Sequence, residues 1–328
     1  MLASVIIYTY DRKEFILKAV ESVLSQTLPR KDYEIIVVKA FKDPLIDDYL
    51  IKVVEHSLFV DEKAHGKKLS KAIEASSGDY IFFLDDDDQF LENKLELVVS
   101  LFKKVPELIF AHNSIIKIND AGGISNERDE AVPSQDLFYE TDKLSRASVS
   151  NLLRYRANWY SSSMAFRRSV LTEKIAYIDK VYQSIDPFLF LCALDSDGKI
   201  ALLRDRLTRY RIHESTTNYF AKFDEYTTSK QVFYRRTSEI VKMALEMSDG
   251  STASAYIHSY MRHSEFMAEC LNLNFTRKST YMSLLNFIPA FRFIFTRYYF
   301  IWLLFGFFKF FAGKNALKMY YWFSVGKL

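Results

Sequence analysis

The sequence GDYIFFLDDDD, at residues 78–88, joins an apolar run to four consecutive aspartates. Residues 80–84 have the unbroken hydrophobicity of a strand that is buried on both faces, as the central strands of parallel sheets are. Ligands of such sheets bind at the carboxyl ends of the strands, where these aspartates stand. Neighbouring carboxylates repel one another unless a cation or hydrogen-bond donors compensate their charge. The stretch therefore predicts a strand that ends in a binding site.

A helix is expected soon after the aspartates, because residues 92–103 carry apolar side chains at helical spacing. The simplest alternative to a binding site is therefore an acidic loop in which Asp88 caps this helix. The strand before the aspartates favours the binding site. Mg²⁺ or Mn²⁺ would suit it, because both ions prefer oxygen ligands.

Strands and helices also alternate before this stretch. Residues 5–8 and 33–38 are short apolar strands, and residues 15–24 between them have a helical apolar period. We also predict a strand at 51–54 and a helix at 69–75. The alternation indicates an α/β fold with a mostly parallel central sheet flanked by helices.

The pattern is less regular after residue 105. Residues 109–118 read as a strand, and residues 119–150 as a long polar loop marked by glycine and proline. Shorter strands are expected at 161–166 and 200–203. Residues 226–273 are predicted to be helical, with a break near Asp249 and Gly250.

Composition excludes several classes of protein. The chain has 328 residues, of which 49% are hydrophobic and 26% charged, and its net charge is +3. Charges of both signs are interspersed, so we expect no nucleic-acid-binding surface. Cys192 and Cys270 are too far apart for a disulfide framework or a zinc knuckle, which fits a reducing compartment. The amino terminus lacks the pattern of a secretory leader, so we expect the cytoplasm.

Four segments carry a resemblance to a known family. The sequences VIIYTYDR (5–12), AVESVLSQTL (19–28), YEIIVV (33–38) and GDYIFFLDDDD (78–88) resemble, in this order, the inverting family 2 glycosyltransferases. The resemblance implies the GT-A fold, which is Rossmann-like with a mostly parallel central sheet flanked by helices. It also implies an enzyme that transfers a sugar from a nucleotide-sugar donor, assisted by Mn²⁺ or Mg²⁺.

The resemblance assigns roles around the aspartates, which form a DXD-type element. Asp87 is the expected metal ligand. The expected donor-binding residues are Tyr8, Tyr10, Asp11, Asp85 and Asp86. An aromatic ring can stack on a base and a carboxylate can accept its hydrogen bonds, so these residue types suit the task. Ordinary packing at strand ends is the alternative for the three residues nearest the amino terminus.

The chain departs from the family at two places. Relatives usually carry an acidic pair after the second strand to recognise the donor base, whereas this chain has Lys39 and Ala40. Many relatives carry an Arg-Asn pair where this chain has Leu69 and Ser70. The lysines of 67–71 could bind phosphate, but a solvated basic loop is the simpler interpretation. The donor is therefore less well defined than the reaction.

The segment QSIDPFLF (183–190) resembles the family's acidic residue at the start of an apolar helix. An inverting transfer needs a general base for the acceptor proton, and the resemblance gives this role to Asp186. The alternative is an aspartate that only caps the helix, with Pro187 in the first turn.

Two further motifs concern the metal and the acceptor. RYRIHES (209–215) resembles a later family motif, which suggests that His213 binds the metal or the diphosphate; a structural, hydrogen-bonded histidine is the alternative. NWYSSSMAFRR (158–168) resembles the acceptor wall. There Trp159 could stack on a sugar ring, or simply pack in the core.

The carboxyl-terminal residues 281–328 are rich in aromatic side chains interleaved with Arg and Lys. The apolar run 298–308 is too short to span a bilayer. A break at Gly306 or Gly313 could divide the aromatic tract into separate helices. Such a helix suits an anionic membrane surface, with its basic chains extending to the lipid phosphates. A packing helix or an interface between copies of the chain is the alternative.

These patterns predict a GT-A catalytic domain at 1–220, with a donor-binding half at 1–105 and an acceptor-binding half at 106–220. A helical region at 221–280 follows, and residues 281–328 form an aromatic and basic helical extension.

We expect an inverting transferase with a nucleotide-sugar donor and a glycan or lipid-linked acceptor, peripheral at the inner face of the cell membrane, and able to form a homo-oligomer. One alternative is a transferase that uses a polyprenyl-phosphate sugar, which would explain Lys39. Another is a non-catalytic glycan-binding or scaffold relative.

Overall fold

The computed structural model describes residues 1–9, 13–62, 64–125, 130–212, 222–248, 252–288 and 297–324. The chain divides into two compact units. The first consists of Met1–Leu144 and Asn151–Ile212, and the second of Ser145–Ser150 and His213–Leu328.

The first unit is built on one sheet. Its strands are β1 (Ala3–Tyr8), β2 (Tyr33–Lys39), β3 (His56–Phe59), β4 (Tyr80–Asp85), β5 (Gln89–Phe90), β6 (Leu108–Ile118), β7 (Leu137–Glu140), β8 (Met164–Arg167) and β9 (Lys199–Arg211). Their order in the sheet is β3-β2-β1-β4-β8-β6-β9-β5, and β7 also pairs with β9.

The two halves of the sheet differ in strand direction. β1 is parallel to β2 and β4, and β2 is parallel to β3. β8 runs antiparallel to both β4 and β6, while β6 and β9 are parallel to each other. β5 and β7 are antiparallel to β9. The predicted α/β fold is confirmed, with parallel pairing dominant in the amino-terminal half and a mixed sheet beyond it.

Helices occur in the loops between these strands. They are α1 (Ile16–Leu24), α2 (Pro44–Val53), α3 (His65–Ala75), α4 (Lys94–Lys104), α5 (Arg146–Arg154), α6 (Arg168–Thr172), α7 (Ile175–Ile178) and α8 (Ile185–Leu194). Short 3-10 turns lie at Arg30–Asp32, Thr141–Lys143 and Ser161–Ser163.

The parallel strands are buried on both faces. Val5 and Ile7 of β1 share a core with Val20 of α1. Ile6 points to the opposite face of the strand and is equally buried, and α3 packs on β1 and β2. Burial on both faces explains why these strands are continuously apolar in the sequence.

The predicted strand at 51–54 is wrong, because residues 51–53 are the end of α2. The carboxylate of Asp43 caps this helix by accepting from two backbone N–H groups of the first turn, and Pro44 is the first helical residue. Both are helix-start signals. The buried Ile46 and Leu50 are four residues apart, which is a helical spacing.

The polar segment 119–150 is also more ordered than predicted. β7 and the first part of α5 lie within it. β7 has only four residues, Leu-Phe-Tyr-Glu, and none of them is fully buried, so its apolar run is too short to stand out in a polar segment. Its hydrogen bonds to β9 define it as a strand.

The buried carboxylate of Glu34 connects β1, β2 and the loop before β4. Its Oε1 accepts hydrogen bonds from Ser4 Oγ at 2.6 Å, from the Ser77 backbone N–H at 2.6 Å and from Ser77 Oγ at 2.9 Å. Burial by itself would raise the pKa of Glu34, but these donors hold it below its ordinary value of 4.5. The ionised carboxylate therefore stabilises the fold.

We expect Glu34→Gln to destabilise the first unit by about 1–3 kcal/mol at pH 7, because the amide accepts these bonds less strongly and brings an unmatched donor. Since the folded-state pKa is lowered, the stabilisation is complete above the ordinary value of 4.5 and is lost as the pH falls through the folded-state value. Thermal unfolding at pH 7 and pH 3 measures this. The exposed Glu74→Gln is the control; an equal effect of both substitutions would contradict the prediction.

The second unit is helical. Its helices are α9 (Phe223–Met247), α10 (Thr252–Cys270), α11 (Arg277–Phe287), α12 (Arg297–Ala312) and α13 (Lys314–Ser324). The helical prediction for 226–273 is confirmed by α9 and α10, and the predicted break at Asp249 and Gly250 lies outside the described residues. The expected boundary at 280/281 falls inside α11, which is capped by Thr276 and Ser279.

Within the predicted carboxyl-terminal extension, Gly313 rather than Gly306 separates two helices. Gly313 has a φ of +58°, a left-handed conformation that suits glycine at a helix end. Gly306 lies inside α12, where a Cβ atom would come within 2.5 Å of the Phe266 ring. None of the described helices is long and apolar enough to cross a membrane.

Candidate active site

The register of the parallel strands brings the predicted donor residues to one edge of the sheet. Tyr8, the last residue of β1, lies opposite Asp85 of β4 and opposite Val38 of β2. Thr9 follows Tyr8, and its hydroxyl donates to a carboxylate oxygen of Asp86. The carboxyl ends of β1 and β4 therefore form the floor of one site.

The four aspartates divide into two groups. Carboxylate oxygens of Asp85, Asp87 and Asp88 lie within 4.8 Å of one another. Asp86 is outside this cluster and contacts Thr9 instead. The turn after β4 produces this division, because the backbone N–H of Asp88 donates to the Asp85 carbonyl at 3.2 Å and folds the chain back.

Asp88 does not cap the following helix. Helix α4 begins at Lys94 and its N-cap is Asn93, so the capping interpretation is wrong. Oδ1 of Asp88 accepts from the backbone N–H of Arg211 at 2.8 Å. Oδ2 is buried, and no donor of the described residues meets hydrogen-bond geometry with it. A buried carboxylate oxygen in this state is available as a metal ligand.

Burial and repulsion disfavour the ionised forms of Asp85 and Asp88. Burial, followed by the charges of Asp186 and Asp87, raises the pKa of Asp85 to about 8. Burial and the charges of Asp87 and Asp85 raise the pKa of Asp88 well above its usual range. The neighbouring Arg211 works against this shift for Asp88 through its backbone N–H, while its Nε donates to the Asp87 carbonyl at 2.8 Å.

The carboxylate oxygens of this cluster suit a divalent cation. The cluster offers only carboxylate oxygens, which Mg²⁺ and Mn²⁺ favour, and one of those oxygens is buried without a donor. A bound cation would favour the ionised carboxylates that burial and repulsion now disfavour. Asp85, Asp87 and Asp88 could therefore hold such an ion.

Asp186 lies beside this cluster, although it is far from it in the sequence. The backbone N–H of Ser161 donates to Asp186 Oδ2 at 3.3 Å, and Ser161 Oγ donates to Asp85 Oδ1 at 3.1 Å. The hydroxyls of Ser161 and Tyr8 are 2.8 Å apart. Ser161 thus connects the candidate base, the carboxylate cluster and Tyr8.

The capping interpretation of Asp186 is wrong. Helix α8 has Ser184 as its N-cap, and Asp186 is its second residue. Burial raises the pKa of Asp186, while N–H donors of the 160–161 segment work against this shift. The turn Ser161–Ser163 and helix α8 are each preceded by a residue in a left-handed conformation, Tyr160 at a φ of 63° and Ser184 at 58°. Such backbone conformations in residues other than glycine concentrate at functional sites.

Comparison with known proteins identifies the family. Residues 4–171, about half of the chain, match the sequence model of the family described as Glycosyl transferase family 2. The chain belongs to this family. The resemblance seen in the sequence is therefore confirmed, and the chain is a glycosyltransferase.

Individual relatives support the same assignment. The chain is 29% identical over 233 residues to an uncharacterized glycosyltransferase of Nostoc sp., covering 67% of this chain and 68% of the relative. It is 35% identical over 123 residues to an uncharacterized glycosyltransferase of Rickettsia bellii, covering 36% of this chain but only 17% of the relative. The poly(ribitol-phosphate) beta-N-acetylglucosaminyltransferase TarS of Staphylococcus aureus is 23% identical over 293 residues, which cover 85% of this chain and 45% of TarS.

Solved structures show the same fold. The structure of residues 1–349 of S. aureus TarS in complex with UDP-GlcNAc has a TM-score of 0.53 to this chain, at 13% identity. The match covers 89% of this chain and 90% of that one. The glycosyltransferase thus has the predicted GT-A fold, with a carboxyl-terminal helical region.

Three buried polar residues that the sequence did not predict, Ser162, Lys94 and Thr208, form a hydrogen-bonded group beside Asp85 of this glycosyltransferase. Ser162 Oγ accepts from the Asp85 backbone N–H at 3.0 Å. The ammonium group of Lys94 donates to the Ser162 carbonyl and, at 2.9 Å, to Thr208 Oγ1. Burial lowers the pKa of Lys94 well below its usual range. A lysine in the first turn of an amphipathic helix looks like a surface residue in the sequence, so only the structure reveals this role.

Two lysines near the site, Lys68 and Lys39, are buried. Lys68 is buried in α3, and its ammonium group donates to the Thr9 carbonyl at 3.3 Å, so the interpretation as a solvated loop is wrong for this residue. Lys39 is buried at the end of β2 and forms an ion pair of 2.7 Å with Asp47. A cation therefore lies close to the floor of the site.

The remaining predicted residues have different outcomes. Trp159 is half-buried, and its carbonyl lies 2.9 Å from His112 Nε2; this contact does not bear on acceptor binding. Tyr10, Asp11 and His213 lie outside the described residues.

We expect millimolar Mn²⁺ or Mg²⁺ to raise the thermal unfolding temperature, because a ligand that binds only the folded state stabilises it, by about 2.7 kcal/mol at 100 times its Kd. Asp88→Asn should reduce this shift strongly and leave the cation-free protein at least as stable, because it removes a buried like charge. Differential scanning calorimetry with and without cation measures both effects. The exposed Asp48→Asn should retain the full shift; a full shift in Asp88→Asn would contradict the assignment.

Proposed function

We propose that this glycosyltransferase moves a sugar from a nucleotide-diphosphate donor to a glycan or lipid-linked acceptor with inversion, using Asp186 as general base. The observation that carries the proposal is the bridge through Ser161, which donates to Asp186 by its N–H and to Asp85 by its hydroxyl. One short segment thereby holds a candidate base next to a candidate cation site. An inverting displacement requires both on opposite sides of the transferred sugar.

The surroundings of Asp186 suit a base. A raised pKa makes the ionised carboxylate a stronger proton acceptor than an exposed aspartate. The Ser161 N–H contacts Oδ2 of Asp186 and so orients the carboxylate. Asp186 would accept the proton of the acceptor hydroxyl as that oxygen attacks the anomeric carbon.

A divalent cation, Mn²⁺ or Mg²⁺, would be held by Asp87 together with Asp85 and Asp88. When bound, such an ion neutralises charge that develops on a departing diphosphate. Ser162 and Arg211 would keep this cluster in place, through bonds to the Asp85 N–H and from the Arg211 N–H to Asp88.

Donor binding would use the edge formed by β1 and β4. Asp86 and Tyr8 lie there with Thr9, and Tyr10 and Asp11 follow directly in the sequence. A nucleoside diphosphate fits the pairing of carboxylates with a cation, and S. aureus TarS was crystallised with UDP-GlcNAc and with UDP. His213 remains a candidate second ligand of the metal or diphosphate.

A second donor class is favoured by one observation. At the end of β2, where relatives carry acids, this chain has Lys39, whose ammonium group is paired with Asp47. A polyprenyl-phosphate sugar has no base to recognise and would not need those acids. Calorimetric titration of nucleoside diphosphates with Mn²⁺ separates the two classes, since a polyprenyl-phosphate-dependent enzyme should bind none of them.

The acceptor would enter beside Trp159, whose half-buried ring could stack on a sugar. We further propose that the enzyme works at the cytoplasmic face of the cell membrane through residues 281–328. This location would give access to a lipid-linked acceptor in polysaccharide or glycolipid synthesis.

We expect Asp186→Asn to lower transfer by about 10²-fold or more, because an amide cannot accept the acceptor proton. Donor affinity should change little, since the substitution preserves size and leaves the cation cluster intact. Transfer rates from a panel of nucleotide sugars and calorimetric donor titration measure the two properties. The exposed Asp197→Asn is the control and should leave transfer unchanged. Unchanged transfer in Asp186→Asn would refute this mechanism.

A further inference from the structure

Helix α12 exposes a long apolar stripe and buries a lysine. The residues of its exposed face are between 41% and 75% exposed, and they are Phe300, Ile301, Leu304, Phe307, Phe308 and Phe311. Their spacing repeats at three and four residues, so they form a single stripe. The opposite side holds Trp302, Gly306 and Lys309 in buried positions. An ordinary surface helix exposes its charged residues and buries its apolar stripe.

The buried position of Lys309 corrects the expectation that this lysine reaches outward to phosphate. Its ammonium group donates to the carbonyls of Glu269 at 2.6 Å and Asn272 at 3.2 Å. It thereby satisfies carbonyl groups at the end of α10. These bonds fix the rotation of α12 and keep its aromatic stripe facing away from the helical unit.

Helix α11 carries a similar stripe. Its exposed apolar residues are Tyr281, Met282, Leu285 and Ile288. The two helices are antiparallel, because Tyr281 lies near Phe310 and Leu284 lies near Gly306. Four residues before Tyr281 and Met282, the same face of α11 carries the exposed Arg277 and Lys278. Antiparallel packing places these two cations at the end of α12 that is followed by Lys314.

The charge of this region is entirely positive. Residues 271–328 contain eight Lys and Arg and no Asp or Glu. The whole chain has 44 basic and 41 acidic residues, so residues 1–270 carry a net charge of −5 against +8 for this segment. Lys314 and Lys318 of α13 are exposed beside Met319 and Trp322. Exposed rings with a rim of cations are typical of surfaces that lie in a lipid headgroup layer.

We propose that the exposed stripes of α11 and α12, with the cations at their shared end, bind the surface of an anionic bilayer. This specifies the membrane contact that belongs to the proposed function. With 16 residues, α12 is about 24 Å long and shorter than a hydrocarbon core of about 30 Å, so it lies along the surface. The aromatic stripe enters the acyl boundary, and the cations contact lipid phosphates.

A bilayer fits these stripes better than a second copy of the chain. A two-fold interface places each surface patch against itself or its symmetry mate. Here it would bring together segments of +8 net charge that contain no acidic residue to pair with the cations. Anionic lipids provide the missing negative charge.

Vesicle flotation of the full chain, without nucleotide, tests the apolar part of this surface. We expect binding to vesicles that contain phosphatidylglycerol and much weaker binding to phosphatidylcholine alone. Leu304→Ser with Phe311→Ser should weaken binding about tenfold or more, since both remove buried apolar area. Leu45→Ser with Ile51→Ser changes two apolar residues elsewhere that are 84% and 73% exposed, and it should leave binding unchanged.

The cationic part is tested in the same assay. Lys314→Gln with Lys318→Gln should weaken binding to the anionic vesicles roughly tenfold or more, whereas the exposed pair Lys103→Gln with Lys104→Gln should not. Binding of the unaltered chain should also fall with rising salt, which needs no variant.

Three results would overturn the proposal: no binding to anionic vesicles, equal binding to both vesicle types, or a stable dimer that Leu304→Ser with Phe311→Ser dissociates in ultracentrifugation. Soluble-donor hydrolysis, measured without vesicles, should be the same in all four variants. If the unaltered chain hydrolyses the donor but does not bind anionic vesicles, the membrane surface alone is refuted. Absence of hydrolysis with vesicle binding retained would refute the proposed catalytic function alone.

Discussion

Repulsion among buried carboxylates at the end of β4 is the constraint around which the catalytic unit is arranged. Asp85, Asp87 and Asp88 are held within a few ångströms by the turn after the strand. Neighbouring groups hold the cluster in place, since Ser161 Oγ donates to Asp85 Oδ1 and the Arg211 backbone N–H donates to Asp88 Oδ1. Burial and repulsion still raise the pKa values of Asp85 and Asp88, and a bound cation would favour their ionised forms.

The mixed half of the sheet completes this site. β8 is inserted antiparallel between β4 and β6, and the turn that leads into β8 carries Ser161 and Ser162 to the end of β4. A parallel strand at this place would present its other end to the aspartates. The change of direction therefore explains how one segment contacts both Asp85 and Asp186.

In the helical unit, hydrogen bonds from a buried lysine determine the orientation of a helix. A buried ammonium group, that of Lys309, satisfies carbonyls at the end of α10 and so fixes which side of α12 faces inward. Gly306 permits close packing against Phe266. The inner positions are taken by Trp302, Gly306 and Lys309, and a stripe of six other apolar side chains of α12 remains outside. An aromatic composition that suggests a core helix is thereby converted into an exposed surface.

The sequence by itself determined the family, the strands β1, β2 and β4 of the parallel half and the placement of carboxylates at the end of β4, because these depend on local apolar runs and short motifs. It misplaced β3, because residues 51–53 are the end of α2. It also singled out Asp186 as a candidate base, through resemblance. The sequence could not reveal the burial of Lys68, Lys94 and Lys309, or the bridge through Ser161. Each of these depends on contacts between residues distant in the chain, which only the packing of strands and helices decides.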